Sequence, residues 1–371
     1  MIDKGEEKMM LMKNAFRGGL LILLVALVLA GCSGKQPASN TSSSSGGGGG
    51  SQQSSQTSGS PQAQAQQAEG PKYTWRLAET HPVEHPTTKA DKKFAELVHE
   101  RSNGRITIDV FPSAALGEEK AVIEQVQLGA IEFTRVSSGP MAEFNSDFGV
   151  FSLPYIFDND DHMWSFLRGE YGGKLLDSLQ NSKLVGLAYY TAGARSFYAR
   201  VPVKSLEDLK GMKIRVIQNK LNIEIMDALG ASATPMAYGE VYSALQTGVI
   251  DAAENNFPSY LTSKHYEVAP YMILDAHQRI PEVLLMSKQV WDQLSPEDQD
   301  LIKQAAIDSI DYQLEEWAKS EKESEDEVRA AGAEITPVDD LKPWQEAVKP
   351  VIELYRDQYN DVLNAIAAAR P

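Results

Sequence analysis

The stretch Tyr73-Thr74-Trp75-Arg76-Leu77-Ala78 alternates apolar and polar side chains, the period of a strand with one buried face. His85-Pro86 then leads into a run in which Ala90, Phe94, Leu97 and Val98 recur at helical spacing, until Asn103-Gly104 stops it. Ile106-Thr107-Ile108-Asp109-Val110 alternates again, Glu118 to Leu128 reads as a helix ended by Gly129, and Ala130 to Thr134 is a third strand. Strand, helix, strand, helix, strand predicts βαβ units and a largely parallel sheet.

Working outward, the same pattern restarts. Lys183 to Tyr190 is strand-like, Ser205 to Leu209 a short helical turn, Lys213 to Ile217 a strand, and Lys220 to Leu229 a helix closed by Gly230. Val241 to Gln246 is helical and Ile250 to Glu254 strand-like. From Pro296 to about Ala331 runs a long, highly charged helix, with helices expected from there to Pro371. The expectation is an α/β protein of two lobes with crossing connections and a long C-terminal helix. Open α/β sheets bind ligands at the carboxyl ends of their strands, so a cleft between the lobes is the expected site. The boundaries read from the sequence are 72–192 with 281–320 for lobe I, and 193–280 with 321–371 for lobe II.

Upstream of the fold, Lys13 and Arg17 precede an apolar stretch from Leu20 to Ala30 that ends at Leu29-Ala30-Gly31-Cys32. A basic segment, a short apolar segment and small residues before a cut predict a secretory signal peptide over residues 1–31. The acidic Met1 to Lys8 segment is unusual for one, so Met9, Met10 or Met12 are alternative starts. Residues 33–70 are mostly Ser, Gly, Gln, Asn and Ala, which cannot bury enough apolar surface to offset chain entropy and read as a disordered tether. As a flexible coil it would reach roughly 35 Å. Cys32 is the single Cys of 371 residues, so no disulfide is expected. The formal net charge of −16 argues against nucleic acid as a partner but not against a small anion, which responds to the local field of its pocket.

No Gly-x-Ser-x-Gly elbow, phosphate-binding loop or dinucleotide fingerprint stands between a strand and a helix. His81 and His85 would need one helix face to hold a metal, and Pro82 and Pro86 oppose that helix; His85 before Pro86 reads instead as a helix-entry turn. No metal or cofactor is expected. Two Arg residues carry the most chemistry. Arg195 follows a strand end and Gly193, and Arg215 sits between Ile214 and Val216 on the opposite face of a strand. Such an Arg is either a surface residue paired with a carboxylate of its own chain or a fixed fork suited to a ligand carboxylate. Asn255 and Asn256 offer paired donors and acceptors for a polyhydroxy or carboxylate ligand, or form a turn before Pro258. An exported hydrolase or lyase using Glu79, Glu119 or Glu254 stays open at this point.

Five segments in register resemble the DctP-type solute-binding proteins of tripartite ATP-independent periplasmic (TRAP) transporters. They are Phe111 to Gly117, Leu153 to Phe157, Leu209 to Val216, Thr234 to Tyr242 and Gly248 to Asn255. The resemblance implies a periplasmic-binding-protein fold, a monomer that captures a small organic acid outside the cytoplasm, and membrane subunits as partners. Leu29 to Cys32 likewise resembles the lipobox of bacterial lipoproteins, which implies a diacylated Cys32 as membrane anchor. By the same resemblance Arg215 clamps the carboxylate, Arg195 and Asn255 face the ligand, and Tyr238 closes over it. Gln218 stands where relatives often carry Asn, Glu119 and Ser137 occupy contact positions on the other lobe, and Glu79, His81 and Asn256 face the cleft. Ser137 and Pro140 replace the Glu and Arg of sialic-acid binders. The Glu254 to Tyr260 run with Pro281-Glu282 is similar to the subgroup that binds sugar acids such as glucuronate or galacturonate, with C4-dicarboxylates and keto acids as the alternatives in the family.

Overall fold

The computed structural model describes residues 70–371. The segments expected to be a signal peptide and a tether, and Cys32 between them, lie outside the described residues. Two sheets organise the chain. The first has strands β1 (Tyr73–Ala78), β2 (Ile106–Phe111), β3 (Phe133–Ser137), β4 (Leu184–Tyr190) and β10 (Glu282–Ser287) in the order β2-β1-β3-β10-β4. The second has β5 (Arg195–Ala199), β6 (Lys213–Val216), β7 (Ser232–Pro235), β8 (Ala252–Asn255), β9 (Tyr271–Gln278) and β11 (Glu334–Pro337) in the order β11-β9-β5-β8-β6-β7. The α-helices of six residues or more are α1 (Pro86–Arg101), α2 (Glu119–Gln127), α3 (Asp160–Leu167), α4 (Glu170–Ser178), α5 (Lys220–Ala228), α6 (Val241–Thr247), α7 (Phe257–Thr262), α8 (Pro296–Ala330), α9 (Lys342–Tyr355) and α10 (Asn360–Ala368). This is the two-lobed α/β fold that the sequence predicts, long helix included. No described helix is long and apolar enough to cross a membrane.

The sheets are mixed rather than largely parallel, and the reason is topological. In the first sheet β1 pairs parallel with β2 and β3, while β10 runs antiparallel to β3 and β4. In the second, β6 pairs parallel with β7 and β8, β9 with β11, and β5 runs antiparallel to β8 and β9. The reversed strand in each sheet is the one that has just crossed from the other. A chain leaving one sheet at its carboxyl edge enters its neighbour at the facing edge, so it must run backwards through it. Residues 191–194 and 279–281 make these two crossings.

Local chemistry accounts for the helix starts. His85 caps α1, its Nδ1 accepting from Thr87 N at 3.2 Å with Pro86 as first residue; this is the helix-entry turn expected of it. Ser295 caps α8 in the same way, and Pro296, Glu297 and Asp298 follow in its first turn. Strand β3 begins three residues later than the sequence suggests. Ala130 N donates back to Gln125 O at 2.9 Å, so the residues after α2 complete its C-terminal turn before the strand can start. Helix α8 joins the lobes. Ile302, Ala305 and Ala306 pack with Leu77, Phe94 and Phe133 against the first sheet, and Val328 packs with Tyr198, Leu245 and Met272 against the second.

Candidate functional site

The carboxyl ends of both sheets face a single cavity. From the side of the first sheet come His81 in the loop after β1, Ser137 at the end of β3, Glu119 at the start of α2 and, at the start of the reversed strand β10, Glu282; from the side of the second come Arg195 of β5, Arg215 of β6, Tyr238 in the turn after β7, and Asn255 and Asn256 at the end of β8. Eight of the residues singled out in the sequence therefore meet on one cavity.

Arg195 opens the reversed strand β5 and is held entirely by its own lobe. Its Nε donates to Glu254 Oε2, its Nη1 to Asn255 Oδ1 at 2.9 Å and its Nη2 to the Glu254 carbonyl at 2.9 Å. Asn255 Oδ1 also accepts from Asn256 N at 3.0 Å, which leaves its amide nitrogen free to donate. Asn256 is both a cavity residue and the N-cap of α7, accepting from Ser259 N at 2.8 Å.

Arg215 is different. It is 4% exposed, and both Nε (3.2 Å) and Nη2 (3.0 Å) donate to one backbone carbonyl, that of Met236. Among the described residues no carboxylate lies within the 4.0 Å of an ion pair. Burial, with Arg195 nearby, pushes the guanidinium below its ordinary pKa against the pull of Glu254. The Tyr238 ring sits 5.9 Å from the Arg215 Cζ, its hydroxyl 2.6 Å from Ser263 Oγ. A buried cation needs a counter-charge, and here the protein provides none in contact. The surface-pair alternative for Arg215 is thereby excluded.

The first lobe contributes the opposite charge. Arg135, in the middle of the wholly buried β3, donates to both oxygens of Glu79, to Glu282 Oε2 at 2.6 Å and to Glu119 Oε1 at 3.2 Å. Burial alone would raise the Glu79 carboxyl, but Arg135 and His81 outweigh it and hold it well below the usual range. Asp91, buried beside this cluster, is pushed well above its usual range by burial, then by the charge of Glu79 and a side-chain hydrogen bond to it. Burial also lifts Glu282 against the pull of Arg135. Arg135 is not legible in the sequence, because FTRVS shows no alternation and Arg in a buried strand leaves no periodic trace.

Two expectations need correction. Glu79 does not line the cavity; it lies beneath it, consumed by Arg135 and by the His81 N–H at 2.6 Å. Gln218 does not line it either, and opens onto an adjoining recess shared with Arg215 and Tyr238, because the chain turns at Ile217. His81 and His85 stack 3.8 Å apart, and His85 Nε2 reaches Ser259 Oγ of the other lobe at 3.2 Å. Burial keeps His85 well below its ordinary pKa, hence neutral. Among the described residues no group of three or more His, Cys, Asp or Glu could hold a metal ion.

A two-lobed fold with a cation-lined cleft at facing strand ends defines a class, that of solute-binding proteins. Residues 77–358 match the bacterial extracellular solute-binding protein family 7 (DctP), and the chain belongs to that family. A solute-binding protein of Chromohalobacter salexigens is 39% identical over 78% of this chain and 86% of its own length. The C4-dicarboxylate-binding periplasmic protein DctP of Rhodobacter capsulatus is 33% identical over 72% of this chain and 81% of its own. Among solved structures, a TRAP periplasmic solute-binding protein of Pseudomonas putida F1 with bound D-glucuronate is similar at TM-score 0.79 and 42% identity, covering 81% of this chain and 98% of that one. Another, from Xanthobacter autotrophicus Py2 with bound β-D-galacturonate, gives 0.78 and 42% over 80% and 100%. The chain is an extracytoplasmic binding protein, not an enzyme. The three carboxylates considered for catalysis are instead held in ion pairs, Glu79 and Glu119 with Arg135 and Glu254 with Arg195.

Proposed function

We propose that this protein captures a hexuronate, D-glucuronate or D-galacturonate, and delivers it to the membrane subunits of a TRAP transporter while anchored through a diacylated Cys32. The observation that carries the reading is Arg215, a buried guanidinium facing the cavity with one backbone carbonyl as its hydrogen-bond partner. A ligand carboxylate would complete it with two parallel hydrogen bonds, strengthened as the lobes exclude water. The free amide nitrogen of Asn255 and the ring of Tyr238 supply a donor and an apolar face beside it. The two neighbours with bound uronates support the sugar-acid class. In this reading residues 72–192 with 281–320 close against 193–280 with 321–371 as a monomer.

Calorimetric titration with D-glucuronate, D-galacturonate, D-galactonate, succinate and pyruvate tests it. A uronate should bind tightest; succinate or pyruvate binding more tightly than every sugar acid would overturn the class. Replacing Cys32 by Ser should move the protein from the membrane fraction to the soluble one, and retention at the membrane would refute the anchor.

A further inference from the structure

The wall across the cavity from Arg215 is anionic, and its charge is not cancelled from within. Arg135 is one guanidinium serving three carboxylates, Glu79, Glu119 and Glu282. Glu79 spends both oxygens on it. Glu119 Oε1 takes Arg135 and the Ser137 N–H at 2.8 Å, and Glu282 Oε2 takes Arg135. That leaves Glu119 Oε2 and Glu282 Oε1 without a donor from the described residues, on side chains that line the cavity.

A hydroxyl placed against those oxygens donates a charge-assisted hydrogen bond. A carboxylate in the same place has no proton to give, leaves both acceptors unpaired and adds like charge to a wall that already carries an excess of it. One side of the cleft thus demands an anion and the other refuses one. We infer that the cleft selects polyhydroxylated monocarboxylates and rejects dicarboxylates, with Glu119 and Glu282, held in place by Arg135, as the residues that decide between them. The inference rests on the sugar-acid reading for the placement of the first carboxylate at Arg215. It sets this chain apart from the C4-dicarboxylate-binding relative of the same family.

Aldonates and aldarates of one sugar differ in a single group, a terminal CH2OH against a second carboxylate, so the test uses matched pairs. The full chain is titrated with D-galactonate and galactarate, with D-gluconate and D-glucarate, and with succinate. In the wild type the aldonate of at least one pair should bind about 30-fold or more tighter than its aldarate. Glu282→Gln and Glu119→Gln should each shrink that ratio by about tenfold, weakening the aldonate and relieving the aldarate. Equal binding of aldonate and aldarate, or a ratio unmoved in both variants, overturns the inference and leaves the sugar-acid reading standing. If Glu282→Gln fails to fold without its contact to Arg135, Glu119→Gln and the wild-type ratios decide. Monocarboxylic keto acids that bind while every sugar acid and dicarboxylate is refused overturn the sugar-acid reading and the inference with it. Succinate as tightest ligand, or no acid bound at all, overturns both.

Discussion

At the scale of single residues, Arg195 and Arg215 are the same side chain in opposite circumstances. Arg195 has Glu254 as its partner, whereas Arg215 has a backbone carbonyl and an open cavity. Arg195→Ala should therefore strand a buried carboxylate and destabilise the unliganded protein by roughly 3–5 kcal/mol. Arg215→Ala removes a buried cation that has no ion-pair partner, so it should leave the unliganded melting temperature unchanged or slightly raised. Its affinity for a carboxylate ligand should fall by the roughly 2–5 kcal/mol of a truncated charge pair. Urea unfolding and calorimetry on both variants check this, and equal destabilisation would be the contrary result. Only half of the contrast was readable in the sequence. Strand alternation placed Arg215 opposite Ile214 and Val216, but the partner of Arg195 lies 59 residues away and depends on the pairing of β5 with β8. His265 makes a pH prediction of the same kind. Burial, then Arg215, lowers its pKa to about 3, while Tyr198 Oη sits 2.7 Å from its Nδ1. The unfolded chain takes up this proton near pH 6.5, so the stability that neutral His265 contributes is complete above that pH and is lost as pH falls toward 3. Between pH 6.5 and 5 wild type should lose about 1.7 kcal/mol more than His265→Asn, measured by urea unfolding at each pH; parallel pH profiles would contradict it.

The elements divide into those whose signal is local and those whose signal is not. Helices α1 and α8 announce themselves through a cap, a proline and a periodic apolar face, all within a few residues. The reversed strands β5 and β10 and the short β11 do not, because each is a strand only by virtue of partners in a sheet it joins from elsewhere. β10 is buried at every position, so it lacks alternation as well. The crossing at 191–194 shows what holds such an element. Gln313 of α8, fully buried, accepts from Thr191 N at 3.0 Å and donates to Thr191 O at 2.9 Å, acting as a substitute strand for one residue. Gly193 beside it adopts φ +58°, and a Cβ there would meet Glu321 and Trp317 of the same helix. Gln313→Leu should strand both backbone groups of Thr191, at about 1–3 kcal/mol for each. A urea midpoint indistinguishable from wild type would show that the crossing is held by packing instead.

For the whole molecule, the question is whether two lobes behave as two units. Each sheet takes its reversed strand from the chain that has just left the other, and α8 then packs on both before β11 returns to the second sheet. Neither lobe can be assembled from one continuous segment, so neither can complete its sheet while the other is unfolded. Unfolding should accordingly be a single transition despite the length of the chain. Tryptophans sample both halves, Trp75 on β1, Trp317 on α8 and Trp344 on α9, so their fluorescence and far-UV circular dichroism should trace coincident curves in urea. A ligand bound between the lobes then stabilises everything at once. At a free concentration 100-fold above its Kd it should add about 2.7 kcal/mol to the one transition without splitting it. Independent lobes would behave otherwise: the two probes would separate, and the ligand would delay the first step while leaving the second where it was. Because the cleft is made from the ends of strands that belong to both sheets, the contacts that bind the solute are contacts between the halves of one cooperative unit.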